Sequence, residues 1–240
     1  MNELITYKEN YQIKSSEANS KLELSVPALL KILQDSSVSG AEYIGVGVDR
    51  TTYKGLMWVY SNLEININRM PKYMEKVVLY TYPNEMVHFI YPRSFEIRDL
   101  EGNNIIEAKS VWCLVDYHTR KVLLPKDTGI ITPPSVKMER VTPINVKEAK
   151  LLDKRLVKYT DTDLNNHLNN VKYLDFILDL KNSEFYKNKD ITKINLSFKE
   201  EIHENEEIEI YGSDDYTYFY FNKNDKKVFE CNIEYKEKDL

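Results

Sequence analysis

Asp163, Asn165 and His167 stand at alternating positions of the run Asp161-Thr162-Asp163-Leu164-Asn165-Asn166-His167-Leu168-Asn169-Asn170, directly before an amphipathic helical pattern. Carboxylate, amide and imidazole side chains two residues apart converge on one reacting group if the segment runs extended. An imidazole transfers protons near neutral pH, a carboxylate accepts them or attacks carbon, and an amide orients a substrate. The same residue types also build tight turns and helix caps, so a purely capping loop is the competing reading. Asp161-x-Asp163-x-Asn165 opens like a calcium loop, but the sixth position is Asn166 rather than glycine and the twelfth is Lys172 rather than a bidentate glutamate. His88, His118 and His203 fall in strand or turn patterns without zinc-ligand spacing, so no metal is expected.

The elements that must carry this loop follow from periodicity. An extended opening over 7–14 leads to a helix over 25–34, where Val26, Leu29, Leu30, Ile32 and Leu33 recur at helical spacing behind Ser25 as a cap. Segments 56–60, 77–82, 87–91 and 105–115 are rich in β-branched and aromatic residues and read as strands, with turn chemistry at Pro83-Asn84 and Glu101-Gly102-Asn103. The tract 128–135 breaks all periodicity and reads as a linker. After it the order returns: a short strand over 155–158, the polar loop, a helix over 170–180, then strands over 194–198, 208–211, 216–221 and 228–234. A helix followed by antiparallel strands, twice, predicts two α+β units over 1–132 and 133–240. The first half's pre-helix loop, 15–25, holds no histidine, so one active site per chain is expected.

With 240 residues, 42% of them hydrophobic and 30% charged, the composition is that of a globular protein, and no apolar run approaches the roughly 20 residues of a membrane span. The net charge of -5 argues against non-specific nucleic-acid binding, which rests on a cationic surface. The start, Met1-Asn2-Glu3-Leu4-Ile5, has neither a basic nor an apolar leader region, and cytoplasmic placement is the expectation. Cys113 and Cys231 each sit in an apolar strand pattern and read as buried thiols of a reducing compartment.

The run Asp163-Leu164-Asn165-Asn166-His167-Leu168-Asn169-Asn170-Val171-Lys172-Tyr173 resembles the signature of the plant and bacterial acyl-acyl carrier protein thioesterases, Asp-x-Asn-x-His-Val-Asn-Asn-x-x-Tyr. Gly55-Leu56-Met57-Trp58-Val59 followed by Met70-Pro71-Lys72-Tyr73 is similar to that family's Trp-Val strand and its Arg-Tyr-Pro-x-Trp turn. The resemblance implies a double hotdog, two antiparallel sheets each wrapped around a helix. It also implies hydrolysis of fatty acyl-acyl carrier protein to free fatty acid and carrier, terminating fatty acid synthesis. Phe198-Lys199-Glu200-Glu201-Ile202 matches the family's Tyr-Arg-x-Glu-Cys, which adds Glu201 to the catalytic set Asp163, Asn165 and His167 and puts Ile202 where the family has cysteine. Strict alternation from Ile194, Leu196 and Phe198 instead turns Glu200 to the apolar face, so Glu201 requires a bend in the strand or an interface on the other face.

Such a set supplies a polarised carbonyl, an activated nucleophile and a proton for the leaving thiolate without metal, serine or cofactor. His167 serves as base or orienting group, Glu201 tunes the imidazole or activates water, Asn165 positions nucleophile or carbonyl, and Asp163 is base or direct nucleophile; these alternatives stay open. Backbone N–H groups at the start of the helix near Asn170 are candidate oxyanion donors. The resemblance further implies an acyl pocket in the first half, with Leu29, Leu30, Leu33, Met57 and Trp58 as its walls; plain core packing is the alternative for all five. The implied partner, acyl carrier protein, is acidic. Lys147, Lys150, Lys154, Arg155 and Lys158 outnumber Glu148 and Asp153 before the loop, which makes Lys154, Arg155 and Lys158 the expected docking surface, with Arg120, Lys121 and Lys126 a second cluster. An acyl-coenzyme A thioesterase and a non-catalytic acyl-binding hotdog protein are the rival readings. A homodimer is compatible with all three, and acyl chain length is not legible.

Overall fold

The computed structural model describes residues 5–133 and 136–237; the opening Met1 to Leu4 and the end of the expected linker, Pro134 and Ser135, lie outside them. Two compact units separate, one of residues up to Ser25 with Lys31–Val141, the other of Val26–Leu30 with the chain from Thr142 onward. The first carries β1 (Tyr7–Gln12), most of α1 (Val26–Tyr43), β2 (Leu56–Ile67), β3 (Lys76–Pro83), β4 (Ile90–Asp99), β5 (Asn104–Asp116) and the short α2 (Pro125–Thr128). Its antiparallel ladders set the order β1-β3-β4-β5-β2. The second carries β6 (Lys150–Leu156), α3 (Asn170–Leu178), α4 (Ser183–Lys187), β7 (Lys189–Phe198), β8 (Glu207–Gly212), β9 (Tyr218–Lys223) and β10 (Lys226–Glu237). Here the antiparallel order is β6-β8-β9-β10-β7. Counted within each unit, both orders read first, third, fourth, fifth, second, with the long helix between the first two strands. The repeat visible in element order therefore extends to strand pairing.

Period-2 patterning sets the sheet faces. Along β3, Val77, Leu79, Thr81 and Pro83 turn inward and their neighbours outward. In the first unit Val46, Tyr91, Leu114 and Ile130 form one buried cluster, against which Trp58 and Trp112 pack. In the second, Tyr173 of α3 lies against Phe198, Phe221 and Phe229 with ring centroids 5.2, 5.4 and 4.6 Å away. Burying each phenylalanine contributes roughly 1.5–3 kcal/mol, which fixes α3 on its sheet and with it the loop that enters α3.

Several elements differ from the expectation: β2 runs on to Ile67, β7 begins at Lys189, the strand over 155–158 is β6 at Lys150–Leu156, and the helix over 170–180 ends at Leu178. α1 continues past residue 34 to Tyr43 although Ser36, Ser37, Ser39 and Gly40 are weak helix formers. The buried Ser36 and Ser37 hydroxyls donate back to the Leu33 carbonyl at 3.0 and 2.8 Å, and Gly40 leaves room for Arg93, since a Cβ there would lie 2.5 Å from Nη1. The expected strand over 87–91 is instead a turn at its start: Val87 and Ile90 exchange hydrogen bonds, His88 has φ 56°, and β4 runs from Ile90 to Asp99. Aromatic and β-branched composition could not reveal that turn, which is closed by backbone bonds between Val87 and Ile90 and by a left-handed His88. After Gly129 no helix or strand forms until Lys150 among the described residues. Even so, Ile130 is buried and its carbonyl accepts from the Tyr91 hydroxyl at 3.2 Å.

Candidate active site

Between β6 and α3 the chain is held almost entirely by its own polar groups. A 3-10 turn over Tyr159–Asp161 is closed by the Asp161 carboxylate, which accepts from the Lys158 N–H at 3.0 Å. Asp163 then organises the loop: its N–H donates to the His167 carbonyl at 2.9 Å, and its carbonyl accepts from Asn166 N–H at 3.0 Å. Its Oδ1 accepts from the N–H groups of Asn165 at 2.8 Å and His167 at 3.4 Å. Asn166 takes φ 62°, a left-handed conformation that asparagine tolerates and that reverses the chain. Asn169 caps α3, its side chain accepting from Val171 N–H at 3.1 Å. That helix N–H, a candidate oxyanion donor from the sequence, is thus already engaged.

The loop hangs on the segment after β7. Leu168 N–H donates to the Ile202 carbonyl at 2.6 Å, and His167 and His203 form an antiparallel bridge. Glu201 reaches the site through a bulge: Lys199 and Glu200 N–H both point at the Val228 carbonyl, at 2.9 and 3.3 Å, so two residues face one partner and the alternation shifts by one. Glu200 consequently turns out to pair with Lys226, and Glu201 turns toward the imidazole. Glu201 Oε2 lies 3.2 Å from His167 Nε2, with side-chain exposures of 32% and 11%. Lys223 Nζ anchors this segment by donating to the Glu201 carbonyl at 2.8 Å and to Glu206 Oε2 at 2.9 Å. Partial burial pushes the Glu206 carboxyl up, but the His203 N–H and Lys223 outweigh it and hold the group below the usual carboxylate range. The buried Tyr173 phenol is raised, first by burial and then by the charges of Asp163, Glu201 and Glu206, which places it beside the same acidic site.

The first unit contains the same loop without the chemistry. Between β1 and α1, Asn19 N–H donates to the Glu23 carbonyl at 2.8 Å, and Asn19 Oδ1 accepts from Lys21 N–H at 2.8 Å and Glu23 N–H at 3.3 Å. Leu22 has φ 57°, Leu24 N–H donates to the Pro71 carbonyl at 2.8 Å, and Glu23 bridges Lys72. Bond for bond, Asn19 stands where Asp163 stands, Lys21 for Asn165, Glu23 for His167 and Lys72 for His203. One oxygen of Asp163 is therefore structural, a task Asn19 performs equally. Imidazole, carboxamide and Glu201 are what the second unit adds.

Residues 5–127 match the family described as Acyl-ACP thioesterase N-terminal domain, and residues 144–239 match Acyl-ACP thioesterase C-terminal domain. The chain belongs to the acyl-ACP thioesterase family. It is 24% identical over 214 residues to the acyl-[acyl-carrier-protein] hydrolase FATB3, chloroplastic, of Cuphea viscosissima, covering 82% of this chain and 52% of that protein. The palmitoyl-acyl carrier protein thioesterase, chloroplastic, of Arabidopsis thaliana is 25% identical over 193 residues, 73% of this chain and 47% of its own length. The chain thus spans about half the length of the curated relatives it matches. Its structure resembles the acyl-ACP thioesterase from Bacteroides thetaiotaomicron, with TM-score 0.84 and 23% identity over 96% of this chain and 98% of that one. It also resembles the 12:0-ACP thioesterase of Umbellularia californica, with TM-score 0.80 and 18% identity over 97% and 98% of the two chains. The fold is the family's double hotdog.

Within that fold the other expected residues are distributed as follows. Leu29, Leu30, Leu33 and Met57 are buried. Met57 and Trp58, being adjacent in β2, face opposite sides of the sheet. Trp58 meets Tyr91 edge-on at 4.8 Å, whereas Met57 Sδ lies 3.3 Å from Arg120 Nη1, so the two do not line one wall. Lys154 pairs with Glu209 at 2.6 Å, and Arg155 with Asp153 at 2.8 Å and Asp179 at 3.4 Å; Lys158 is exposed. Lys147 and Lys150 likewise meet Asp215 and Asp214. Sequence reasoning set His203 aside for want of ligand spacing, yet its ring stands 4.9 Å from that of His167 at 78°, and it did not foresee the Lys223 and Glu206 anchors. The available signal was the two-residue spacing of Glu201 and His203, which sets both on one side of an extended segment.

Proposed function

We propose that this chain hydrolyses fatty acyl-acyl carrier protein to free acid and carrier, the step that ends fatty acid synthesis. The observation that carries the reading is the 3.2 Å contact of His167 Nε2 and Glu201 Oε2, at the end of a loop whose twin in the first unit lacks both groups. The Glu201 carboxylate, 3.2 Å from His167 Nε2, takes the proton from a water as it attacks the thioester carbonyl. Glu201 passes that proton to the imidazole, which hands it to the departing thiolate, so both groups return to the states in which they began. Asn165 offers its carboxamide to the carbonyl or the water, and the second oxygen of Asp163 orients the water. Direct attack by Asp163 would give a mixed anhydride that hydroxylamine traps as the acyl hydroxamate or that, opened by oxygen-18 water at the aspartyl carbonyl, leaves label in the protein; the general-base route forms no anhydride and puts the label in the fatty acid. No metal or other cofactor takes part in this scheme.

The acyl chain enters the first unit, where Leu33 and Trp58 remain the proposed contacts while Met57, on the opposite face of β2, packs against Arg120, and 133–240 carries the chemistry. Acyl carrier protein docks on Lys154, Arg155 and Lys158. The pairs already holding Lys154 and Arg155 are partly exposed and screened by solvent, so carboxylates of an acidic carrier can replace the resident ones. Cytoplasmic work fits the two free thiols, Cys113 and Cys231, both raised by burial. Among the described residues no helix is long and apolar enough to cross a membrane. The deciding experiment compares acyl-carrier-protein and acyl-coenzyme A thioesters at matched chain length. Preference for the coenzyme A ester would shift the substrate class, and inertness toward both would reduce the protein to an acyl-binding module.

A further inference from the structure

His167, Glu201 and His203 each present one ligand atom within 4.8 Å of the other two, a His-His-carboxylate group in the second unit. We propose that these three residues form a transition-metal site, best suited to Zn2+, whose occupancy switches hydrolysis off; the inhibitory half of the proposal rests on the thioesterase reading above.

The donor set suits the ion. Two imidazoles and one carboxylate are zinc ligands in sites that keep a fourth position for water, with metal–ligand distances of about 2.0–2.2 Å. Ligand atoms around a tetrahedral ion at those distances stand roughly 3.4 Å apart. His167 Nε2 and Glu201 Oε2, at 3.2 Å, are already at that spacing. The movement required falls on the exposed His203, whose ring must shift toward the other two ligands. Its Nδ1 lies 3.3 Å from the Asn166 carbonyl, and its N–H is held by Glu206 at 2.7 Å, so the backbone stays in place while the ring turns. An outer bond from one ring nitrogen to a carbonyl also orients an imidazole for metal binding through the other. Hard cations are disfavoured, because calcium and magnesium seek oxygen ligands and this group offers one carboxylate.

Inhibition follows from which atoms are consumed. The imidazole nitrogen and the carboxylate that bind the ion are the pair assigned to proton transfer, and a nitrogen lone pair on zinc cannot take a proton. His203 has no part in the proposed hydrolysis, so it is the residue that separates metal binding from catalysis. In the first unit's twin loop, Lys72 stands at the position of His203 and Glu23 at that of His167, so that loop lacks both imidazoles.

Metal-stripped full-length protein is titrated with Co2+ and Zn2+, and binding is read from the visible bands of tetrahedral Co2+ and by calorimetry, both independent of hydrolysis. Wild type is expected to bind one ion per chain, with cobalt displaced by zinc. In the same protein, thioester hydrolysis falls at least tenfold on saturation with zinc and returns with a chelator. His203→Ala should keep its hydrolysis without metal while its affinity for zinc drops about a hundredfold or more, and with it the inhibition. Absence of cobalt bands and binding heat in wild type overturns the site, as does unchanged affinity in His203→Ala. Binding that leaves hydrolysis untouched or raises it overturns the inhibitory role alone. A protein that binds zinc but cleaves no thioester leaves the metal site standing and refutes the thioesterase reading instead.

Discussion

At the scale of residues, the twin loops separate scaffold from chemistry. Asn19 accepts two backbone N–H groups with its Oδ1 as Asp163 does, so the acidic oxygen that holds the loop together does not need its charge to do so. Asp163→Asn should therefore fold with an unfolding free energy within about 1 kcal/mol of wild type. Its turnover of acyl-carrier-protein thioester should fall by at least about a hundredfold, the usual cost of losing one acid-base or orienting group. Chemical denaturation and steady-state rates on the same preparation check both halves; near-wild-type rates would reduce Asp163 to a turn residue. Glu200 and Glu201 form a second controlled pair, because the bulge at Val228 sends them to different partners. Glu201→Ala is expected to lose about a hundredfold or more in kcat and Glu200→Ala less than about twofold, and the reverse order would assign the chemistry to the strand's strict alternation.

At the scale of elements, the loop is only as fixed as α3, and α3 begins with one side-chain bond. The Asn169 carboxamide caps Val171 N–H at 3.1 Å. Removing it in Asn169→Ala should cost about 1 kcal/mol, near 2–4 °C in Tm for a chain of this size, measured by calorimetry. Because the Asn169 N–H also donates to the Asp161 carbonyl at 2.9 Å, a bond alanine keeps, the loss should be that of a cap and not of the fold. The sheet beneath carries a second sensitive group. Glu230 of β10 is nearly buried, with Tyr218 Oη at 2.6 Å, Lys227 at 3.2 Å and Lys199 as a close partner. Burial alone would raise its carboxyl, but these three donors prevail and lower it. A carboxyl lowered in the folded state adds stability above its unfolded value of about 4.3, and that stability is lost as pH falls through the folded value. Wild-type Tm should thus drop on acidification from neutral pH to below that range more steeply than that of Glu230→Gln, which no longer titrates. Parallel slopes in a pH series of melts would remove Glu230 from the acid limb.

At the scale of the whole molecule, the proposed docking of a carrier protein is a question of charge. A chain of net charge -5 approaching an acidic carrier needs a local cationic surface. The tract on β6 and after it provides Lys154, Arg155 and Lys158, of which the first two already hold acidic neighbours. Lys154→Glu with Arg155→Glu should raise KM for carrier-bound substrate with little change in kcat, since rim charges act on encounter. Wild-type KM should climb with added salt, as exposed charges are screened over about 8–10 Å, and the double variant should show most of that dependence gone. A small soluble thioester should be cleaved equally by both. An unchanged KM and salt response would move docking to the cluster of Arg120, Lys121 and Lys126.

The sequence by itself determined what rests on local pattern: the loop's residue types, the helices behind Ser25 and Asn169, the β-rich segments and the doubled element order. Each depends on spacing of 2 or 3.6 residues or on turn chemistry, which a linear chain displays. Family resemblance added Glu201, which alternation alone had placed facing away. What only the tertiary structure decided are features made by a second segment. The bulge that swings Glu201 to His167 exists because two N–H groups compete for one carbonyl on β10. His203 comes beside His167 because Leu168 and Ile202 pair across a gap of more than thirty residues. α1 outruns its helix propensity over a stretch where Ser36 and Ser37 are buried with their hydroxyls satisfied by the Leu33 carbonyl and Gly40 admits Arg93. The structural half of Asp163's work became visible only when the same bonds appeared around Asn19, since the two loops share backbone geometry while differing in nearly every side chain.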